Sequence, residues 1–185
     1  MQLRRHDTYK TMTRNAAIFG SFLFFIVAPV TLAGIVPWWI SRWHFAPVFL
    51  GIEPLRWLGV ALVLAGLPVL IASFGRFAVD GLGTPAPVAP PRHLVIRGAY
   101  RYVRNPMYVA LLAISFGQAI LFGSRALVVY GAMFWLACHL FVIFYEEPNL
   151  RRRFGNDYHR FRAAVPRWLP RLRPWSPPAD EGVNQ

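Results

Sequence analysis

The sequence predicts an all-α integral membrane protein with about four transmembrane helices, a closing helical hairpin and a C-terminal amphipathic surface helix. First, 56% of the 185 residues are hydrophobic, whereas soluble domains usually contain about 45–50%. Second, four long runs of the chain carry no charged residue. Third, arginines flank these runs instead of forming a separate basic domain. The length suits one membrane domain over residues 1–185.

The first two uncharged runs are residues 15–41 and 57–75. The first has 27 residues, and the apolar part of a signal peptide has only about 7–15. It therefore predicts a transmembrane helix from Ala16 to about Val36. The second run predicts another, which contains Pro68, a residue type that membrane helices tolerate. An aromatic belt at the membrane interface is predicted for Trp38, Trp39 and Trp43.

Residues 76–104 form a cytoplasmic connection that is rich in proline and glycine. Its middle reads GLGTPAPVAPP, and proline at this density favours extended, semi-rigid backbone. Two interpretations stay open. The segment is either a linker or a lid over the site, since long loops in compact domains are often functional.

The third and fourth uncharged runs predict a transmembrane hairpin over residues 105–147. Asn105–Ser124 and Ala126–Tyr145 have 20 residues each, and about 20 helical residues cross the hydrocarbon core of a bilayer. Only Gly123, Ser124 and Arg125 lie at their junction. The two helices must therefore be antiparallel, which places the start of the first beside the end of the second.

This hairpin predicts a polar corner at one membrane surface. Arg104, Asn105 and Tyr108 come together there with Glu146 and Glu147. Acidic residues at a helix C-terminus oppose the helix dipole, so a bound cation or Arg104 has to compensate them. Neighbouring helical residues point about 100° apart. We expect Glu147 to face the corner and Glu146 to face the arginines of the following surface helix.

Residues 148–173 predict an amphipathic C-terminal helix and a basic tail. Apolar residues recur at spacings that mark one helical face, and arginines occupy the other faces, which is typical of a helix on a membrane surface. Pro166 ends the helix, and the tail from Pro174 is predicted to be disordered. The apolar face consists of Leu150, Phe154, Tyr158, Phe161 and Val165.

The charge distribution predicts the orientation. Of the 20 lysines and arginines, 17 lie in residues 1–14, 76–104 and 151–173. By the positive-inside rule, both termini and the corner are cytoplasmic and the partner is the lipid bilayer. No nucleic-acid recognition module is visible, so nucleic acid is not an expected partner. The oligomeric state stays open.

One further residue has a plain interpretation. His139 lies inside the fourth run, seven residues before Glu146, and we expect it to form a hydrogen bond between helices. No second histidine or cysteine stands at ligand spacing from it, so no metal site is predicted.

Two blocks of the sequence carry a family resemblance. GAYRYVRNPMYVA, from Gly98 to Ala110, resembles the G-x-Y-x-x-x-R-H-P-x-Y-x-G signature of the isoprenylcysteine carboxyl methyltransferase and phospholipid methyltransferase superfamily. EEPNLRRRFGNDY, from Glu146 to Tyr158, is similar to its E-E-x-x-L-x-x-x-F-G-x-x-Y block. Val165-Pro166-Arg167 continues that block, and GTPAP at residues 83–87 resembles bacterial members.

The resemblance implies an S-adenosylmethionine-dependent membrane methyltransferase with a lipophilic acceptor, in the bacterial inner membrane. For such a reaction, Glu147 and Glu146 are the predicted catalytic residues, and one of them would hold the cofactor ammonium or a cationic substrate. Asn105 stands where many members have His, and an amide does not titrate at neutral pH. Ala110 stands where Gly is usual, which predicts a narrower approach of the cofactor. The cofactor-binding residues implied are Tyr100, Arg104, Asn105, Pro106 and Tyr108.

Other functions remain open at this point. The acceptor is an isoprenoid carboxylate, a phospholipid amine, a thiol or a small lipophilic alcohol. A membrane reductase of related architecture, which uses a nicotinamide cofactor, is a second enzyme class. A non-catalytic membrane protein that kept the fold is the third alternative.

Overall fold

The computed structural model describes residues 27–80 and 94–177, and that part of the chain is helical without any strand. By length and composition, two of its continuous helical stretches suffice to cross a membrane, Leu55–Arg76 and Arg125–Ala164. Two shorter apolar helices accompany them, Val27–Ser41 and Pro106–Phe122. The helices are α1 (Val27–Ser41), α2 (Leu55–Asp80), α3 (Pro106–Phe122), α4 (Arg125–Phe141) and α5 (Glu147–Ala164).

Helix α1 ends later than the sequence predicts. It continues through Trp38 and Trp39 to Ser41, where Arg42 adopts a left-handed conformation with φ 50°. Residues 16–26 of the predicted helix lie outside the described residues. A π-helical segment, Thr31–Ile35, interrupts α1. Its carbonyl groups accept hydrogen bonds from other helices, because Gln118 Nε2 reaches Ala33 O at 2.7 Å and Tyr130 OH reaches Leu32 O at 2.6 Å.

Helices α2 and α3 pack with their backbones in close contact. A Cβ atom on Gly59 would lie 2.7 Å from the carbonyl oxygen of Gly117, and one on Gly66 would lie 2.9 Å from that of Ala110. Small residues allow this approach between membrane helices. Ala110 itself is buried in the apolar cluster with Leu70. Its methyl group thus lies in the core, which gives no support to the expected narrowing of a cofactor site.

The predicted connection from residue 76 to residue 104 begins later in the structure. Helix α2 contains Pro68 and extends to Asp80. Residues 81–93, with the GTPAP sequence, lie outside the described residues, so the choice between linker and lid stays open. The chain then forms a short 3₁₀ helix at Gly98–Arg101 before α3 begins.

The predicted hairpin is present as α3 and α4. Gly123 ends α3 with φ 65°, a conformation that favours glycine. Ser124 then caps α4, because its side chain accepts a hydrogen bond from the backbone N–H of Leu127. This two-residue turn makes the helices antiparallel and brings Pro106 beside the far end of α4.

The sequence places the end of the hairpin at residue 147 and a separate amphipathic helix after it, but the structure shows one continuous helix across this boundary. Helix α4 continues through a π-helical segment, Val142–Glu146, directly into α5. Proline lacks an N–H group, but this group has no helical partner in the first turn of a helix. The helix therefore continues across Pro148. The backbone bends instead at Gly155, whose φ of 49° and ψ of −120° are not helical.

The apolar face predicted for the surface helix is confirmed. Tyr158, Phe161 and Val165 are buried together, with Leu150 and Phe154 packed against them. This cluster also receives Trp175 from the end of the chain. Helix α5 therefore packs against protein on the face that the pattern identified.

The C-terminal segment (residues 165–177) returns to the start of α3. The backbone N–H of Arg104 donates to Pro166 O, that of Arg171 to Tyr102 O and that of Trp175 to Arg101 O, each at 2.9 Å. The prediction of a disordered tail from Pro174 is therefore wrong for residues 174–177. Residues 178–185 lie outside the described part.

Candidate active site

An ion pair joins the two sides of the predicted corner. Arg104 Nη1 donates a hydrogen bond to Glu147 Oε1 at 3.0 Å and a longer one to the Tyr158 hydroxyl at 3.3 Å. Glu147 is buried, with 3% of its surface exposed. Burial of a carboxylate is costly without compensation. Arg104 is thus the compensating cation predicted for the acidic end of the helix, and further arginines surround the carboxylate.

Four guanidinium groups surround Glu147. Arg167 binds both carboxylate oxygens, from Nε at 2.6 Å and from Nη2 at 3.1 Å, a two-point geometry that strengthens such pairs. Arg151 and Arg162 approach to 3.5 and 3.8 Å. The hydrogen bond with Glu147 raises the pKa of Arg167. One carboxylate therefore faces four guanidinium groups, and the cluster has a net positive charge.

This arrangement corrects the expectation for the two glutamates. The prediction that Glu146 faces the surface-helix arginines is wrong, because Arg151 and Arg162 approach Glu147 instead. The π-helical segment ends at Glu146, and α5 begins at Glu147. A π turn changes the register of all residues that follow it, so the directions of the two carboxylates differ from those in an unbroken α-helix.

Glu146 accepts its hydrogen bond from a tyrosine. The Tyr108 hydroxyl donates to Glu146 Oε2 at 3.3 Å. Among the described residues, no arginine lies within ion-pair distance of this carboxylate. The Tyr108 ring also contacts the Trp168 indole, with ring centroids 6.5 Å apart. The corner thus has a carboxyl group without an arginine partner at Glu146, and a cationic side around Glu147.

Asn105 and Pro106 shape the start of α3. Asn105 precedes the helix without capping it, and its side-chain amide donates to the backbone carbonyl of Arg167 at 3.1 Å. Asn105 thus binds the C-terminal segment, and it makes no described hydrogen bond to either glutamate. Pro106 is buried in the first turn of α3, as its position in the sequence predicts.

Tyr100 lies buried in the 3₁₀ helix before α3. Its hydroxyl has no hydrogen-bond partner among the described residues, and the same holds for the buried Nε of Arg104. Burial, and then the negative charge of Glu146, raise the pKa of Tyr100 well above its usual value. Both groups are therefore hydrogen-bond donors without an acceptor at the edge of the corner, which is uncommon in buried positions.

The C-terminal segment supplies residues that the site prediction omitted. Arg167 belongs to the block with the family resemblance but not to the predicted site residues, and Trp168 belongs to neither. The Trp168 indole N–H donates to His139 Nδ1 at 3.0 Å. His139 therefore bonds to the C-terminal segment and not, as expected, to another helix. No periodic pattern in residues 165–177 signals this return.

Comparison with known proteins identifies the family. The phospholipid methyltransferase family model matches residues 54–157, which include α2, the hairpin, both glutamates and most of the basic helix. No curated protein matches the chain at a significant level. A match over more than half of the chain shows that this protein belongs to the phospholipid methyltransferase family, in the superfamily that also contains the isoprenylcysteine carboxyl methyltransferases.

Proposed function

We propose that this protein is an integral-membrane, S-adenosylmethionine-dependent methyltransferase that acts on a lipophilic acceptor, in the manner of isoprenylcysteine carboxyl methyltransferases. The observation that carries the proposal is the corner itself. In a chain of this family, Arg104 meets Glu147 and Tyr108 meets Glu146 at one end of a hairpin with uncharged helices. A polar cofactor and an apolar acceptor can both reach such a place.

The residues of the corner fit the cofactor. S-adenosylmethionine carries a carboxylate, an ammonium and a sulfonium, and when bound it supplies an electrophilic methyl group. The unpartnered Nε of Arg104 and hydroxyl of Tyr100 are donors for its carboxylate and its polar ribose or base atoms. Tyr108 would bound the adenosine, and Asn105 and Pro106 would shape the wall at the start of α3.

The two glutamates have different roles in this proposal. Glu147 is neutralised by arginines, so it would hold Arg104 and Arg167 in position. Glu146 lacks such a partner among the described residues and would face a cationic group, either the cofactor ammonium or a cationic acceptor. We therefore propose that Glu146 lies closer to the reacting groups, although the sequence predicted this position for Glu147.

The chain has little covalent chemistry to perform in this proposal. Methyl transfer needs the acceptor aligned with the methyl group and water excluded. Trp168 and Tyr108 supply an apolar wall near Glu146. Asn105 cannot act as a general base because its amide does not titrate, so the acceptor has to arrive deprotonated or lose its proton to another group.

The membrane arrangement belongs to the same proposal. The chain would form one membrane domain with four spans, α1 to α4, and α5 would lie at the cytoplasmic surface. Both termini and the corner would be cytoplasmic, which gives the water-soluble cofactor access. The acceptor would enter sideways from the bilayer. The charge asymmetry and the apolar helices support this arrangement.

A lipid methylation assay tests the proposal. The purified protein in vesicles of bacterial lipid extract receives methyl-labelled cofactor, and mass spectrometry identifies the labelled product. A labelled lipid that depends on the protein supports the proposal. Cofactor binding without any labelled product would favour a non-catalytic role, and binding of a nicotinamide cofactor instead would favour the reductase alternative.

A phospholipid amine is the second candidate acceptor. The matching family is described as phospholipid methyltransferase, and Glu146 offers a carboxylate without an arginine partner among the described residues. Parallel reactions, each with one added acceptor, separate this candidate from the first: one receives a primary-amine phospholipid and the other a prenylated cysteine. Label in the phospholipid head group supports the amine, whereas label only in the prenylated cysteine supports the carboxylate.

A further inference from the structure

Two leucines of the C-terminal segment are unusually exposed. Leu169 is 79% exposed and Leu172 is 99% exposed. A contiguous exposed apolar surface marks a site that contacts protein or membrane, whereas single exposed apolar residues are common, so the position of this segment decides what the two leucines mean. The segment has a defined position, because backbone hydrogen bonds at Pro166, Arg171 and Trp175 attach it to residues 101–104.

The depth of Trp168 indicates what surrounds the leucines. Its indole bonds to His139, which lies six residues before Tyr145, the last residue of an uncharged run. At 1.5 Å per helical residue, His139 lies roughly 9 Å from that end of the run. The Trp168 side chain therefore reaches past the level of the glutamates beside the hairpin, while backbone hydrogen bonds attach residues 166 and 171 to residues 104 and 102.

The neighbouring surface of α4 is also apolar. Leu140 and Phe141 are 45% and 37% exposed, and Phe144 in the π-helical segment is 75% exposed. These residues lie in the run proposed to cross the membrane. The Trp168 ring contacts His139 of the same helix, with the ring centroids 5.8 Å apart and the planes tilted by 32°. Arg173 follows Leu172 and is exposed. An apolar pair next to an arginine suits the boundary between acyl chains and lipid phosphates.

We infer that residues 168–172 re-enter the cytoplasmic leaflet, with Leu169 and Leu172 among the acyl chains and Arg173 at the phosphates. This inference rests on the membrane arrangement of the proposed function. The inference also gives the lipid a role. The C-terminal segment contains Arg167, which binds Glu147, and Trp168, which donates a hydrogen bond to His139. The bilayer then holds the C-terminal segment against the corner and helps to close it.

Site-directed labelling tests the depth of the segment. The single cysteine, Cys138, is replaced by alanine, and one cysteine at a time is introduced by Leu172→Cys, Phe144→Cys or Arg153→Cys. Each full-length variant carries an environment-sensitive fluorophore in phosphatidylcholine–phosphatidylglycerol vesicles. Lipid nitroxides placed along the acyl chain and aqueous iodide serve as quenchers. Position 144 is the reference within the span, and exposed position 153 on α5 is the reference outside it.

We expect the label at position 172 to be quenched by acyl-chain nitroxides at least half as strongly as the label at 144. We also expect at least threefold protection from iodide relative to the label at 153. Position 172 behaving like 153, while 144 is quenched by the nitroxides, would overturn the inference and leave the proposed function intact. Position 144 quenched only by iodide would overturn both, because the span itself would then be absent.

Discussion

Arg104 and Glu147 lie 43 positions apart in the chain and are joined by a 3.0 Å hydrogen bond between Nη1 and Oε1. Arg104 has 10% of its side chain exposed and Glu147 has 4%. Their burial makes this pair the centre of the corner, because buried charges need nearby partners. The other residues of the proposed site are arranged around it, with Arg167 on one side and Tyr158 on the other.

We predict that Arg104→Ala weakens S-adenosylmethionine binding by roughly ten- to a hundredfold, the loss expected for one charge-assisted hydrogen bond. The fold should persist, because three arginines remain at Glu147. Calorimetry in detergent measures the affinity. Arg125→Ala is the matched control, since Arg125 begins α4 at the opposite end of the hairpin. Equal losses for both variants would contradict the assignment.

Glu147→Gln should lower stability. The amide keeps the shape but removes the charge that balances four guanidinium groups. A buried group left without its partner costs about 1–3 kcal/mol, and more if it is charged, but the partial exposure of three of the arginines favours the lower end. The melting temperature in one lipid mixture measures the effect. An unchanged melting temperature would mean that the arginines do not depend on this carboxylate.

Glu146→Gln should have the opposite profile. We expect little change in melting temperature, because an amide oxygen can still accept the Tyr108 hydrogen bond, and a loss of most turnover. The product assay described above measures turnover, with Tyr108→Phe as the companion that removes only the donor. Full activity of Glu146→Gln would show that the Glu146 carboxylate has no role in the reaction.

Trp168→Phe should loosen the C-terminal segment while retaining an aromatic ring. The variant loses the donor to His139, which is worth about 0.5–1.5 kcal/mol for an ordinary hydrogen bond. Because Arg167 is adjacent, cofactor affinity should fall together with stability. Trp39→Phe is the control, since Trp39 is 68% exposed. Identical behaviour of the two variants would show that the indole N–H has no structural role.

Gly59→Ala should destabilise the protein by disturbing the contact between α2 and α3. The new methyl group would lie 2.7 Å from both Gly117 O and Leu121 N, and such overpacking costs about 1–3 kcal/mol. Gly75→Ala is the control in the same helix, because nothing lies within 4 Å of its Cβ position. Thermal midpoints in detergent should fall for the first variant and stay or rise for the second.

Reporter fusions test the predicted topology. A fusion at Gln185 should report a cytoplasmic location, and one near Glu53 should report the opposite side, as the arginine distribution predicts. An external reporter at Gln185 would place the corner away from its cofactor.

The helices and the corner could be predicted from the sequence. Two uncharged runs of 20 residues, Asn105–Ser124 and Ala126–Tyr145, are joined by a very short turn. Only an antiparallel pair of helices satisfies that spacing. The contacts of Arg104 with Glu147 and of Tyr108 with Glu146 follow from the same geometry. Local charge and hydrophobicity suffice here because the chain length between the residues determines where they meet.

Two features were decided only by the tertiary structure. The π-helical segment Val142–Glu146 changes the direction of the two glutamates, and no hydrophobic pattern reports a register change of one residue. The C-terminal segment has no periodicity, yet it brings Arg167 to Glu147 and Trp168 to His139. Its course depends on backbone hydrogen bonds to residues 101–104. Such bonds involve main-chain groups that all residues except proline carry in full, so no side-chain pattern in the sequence signals them.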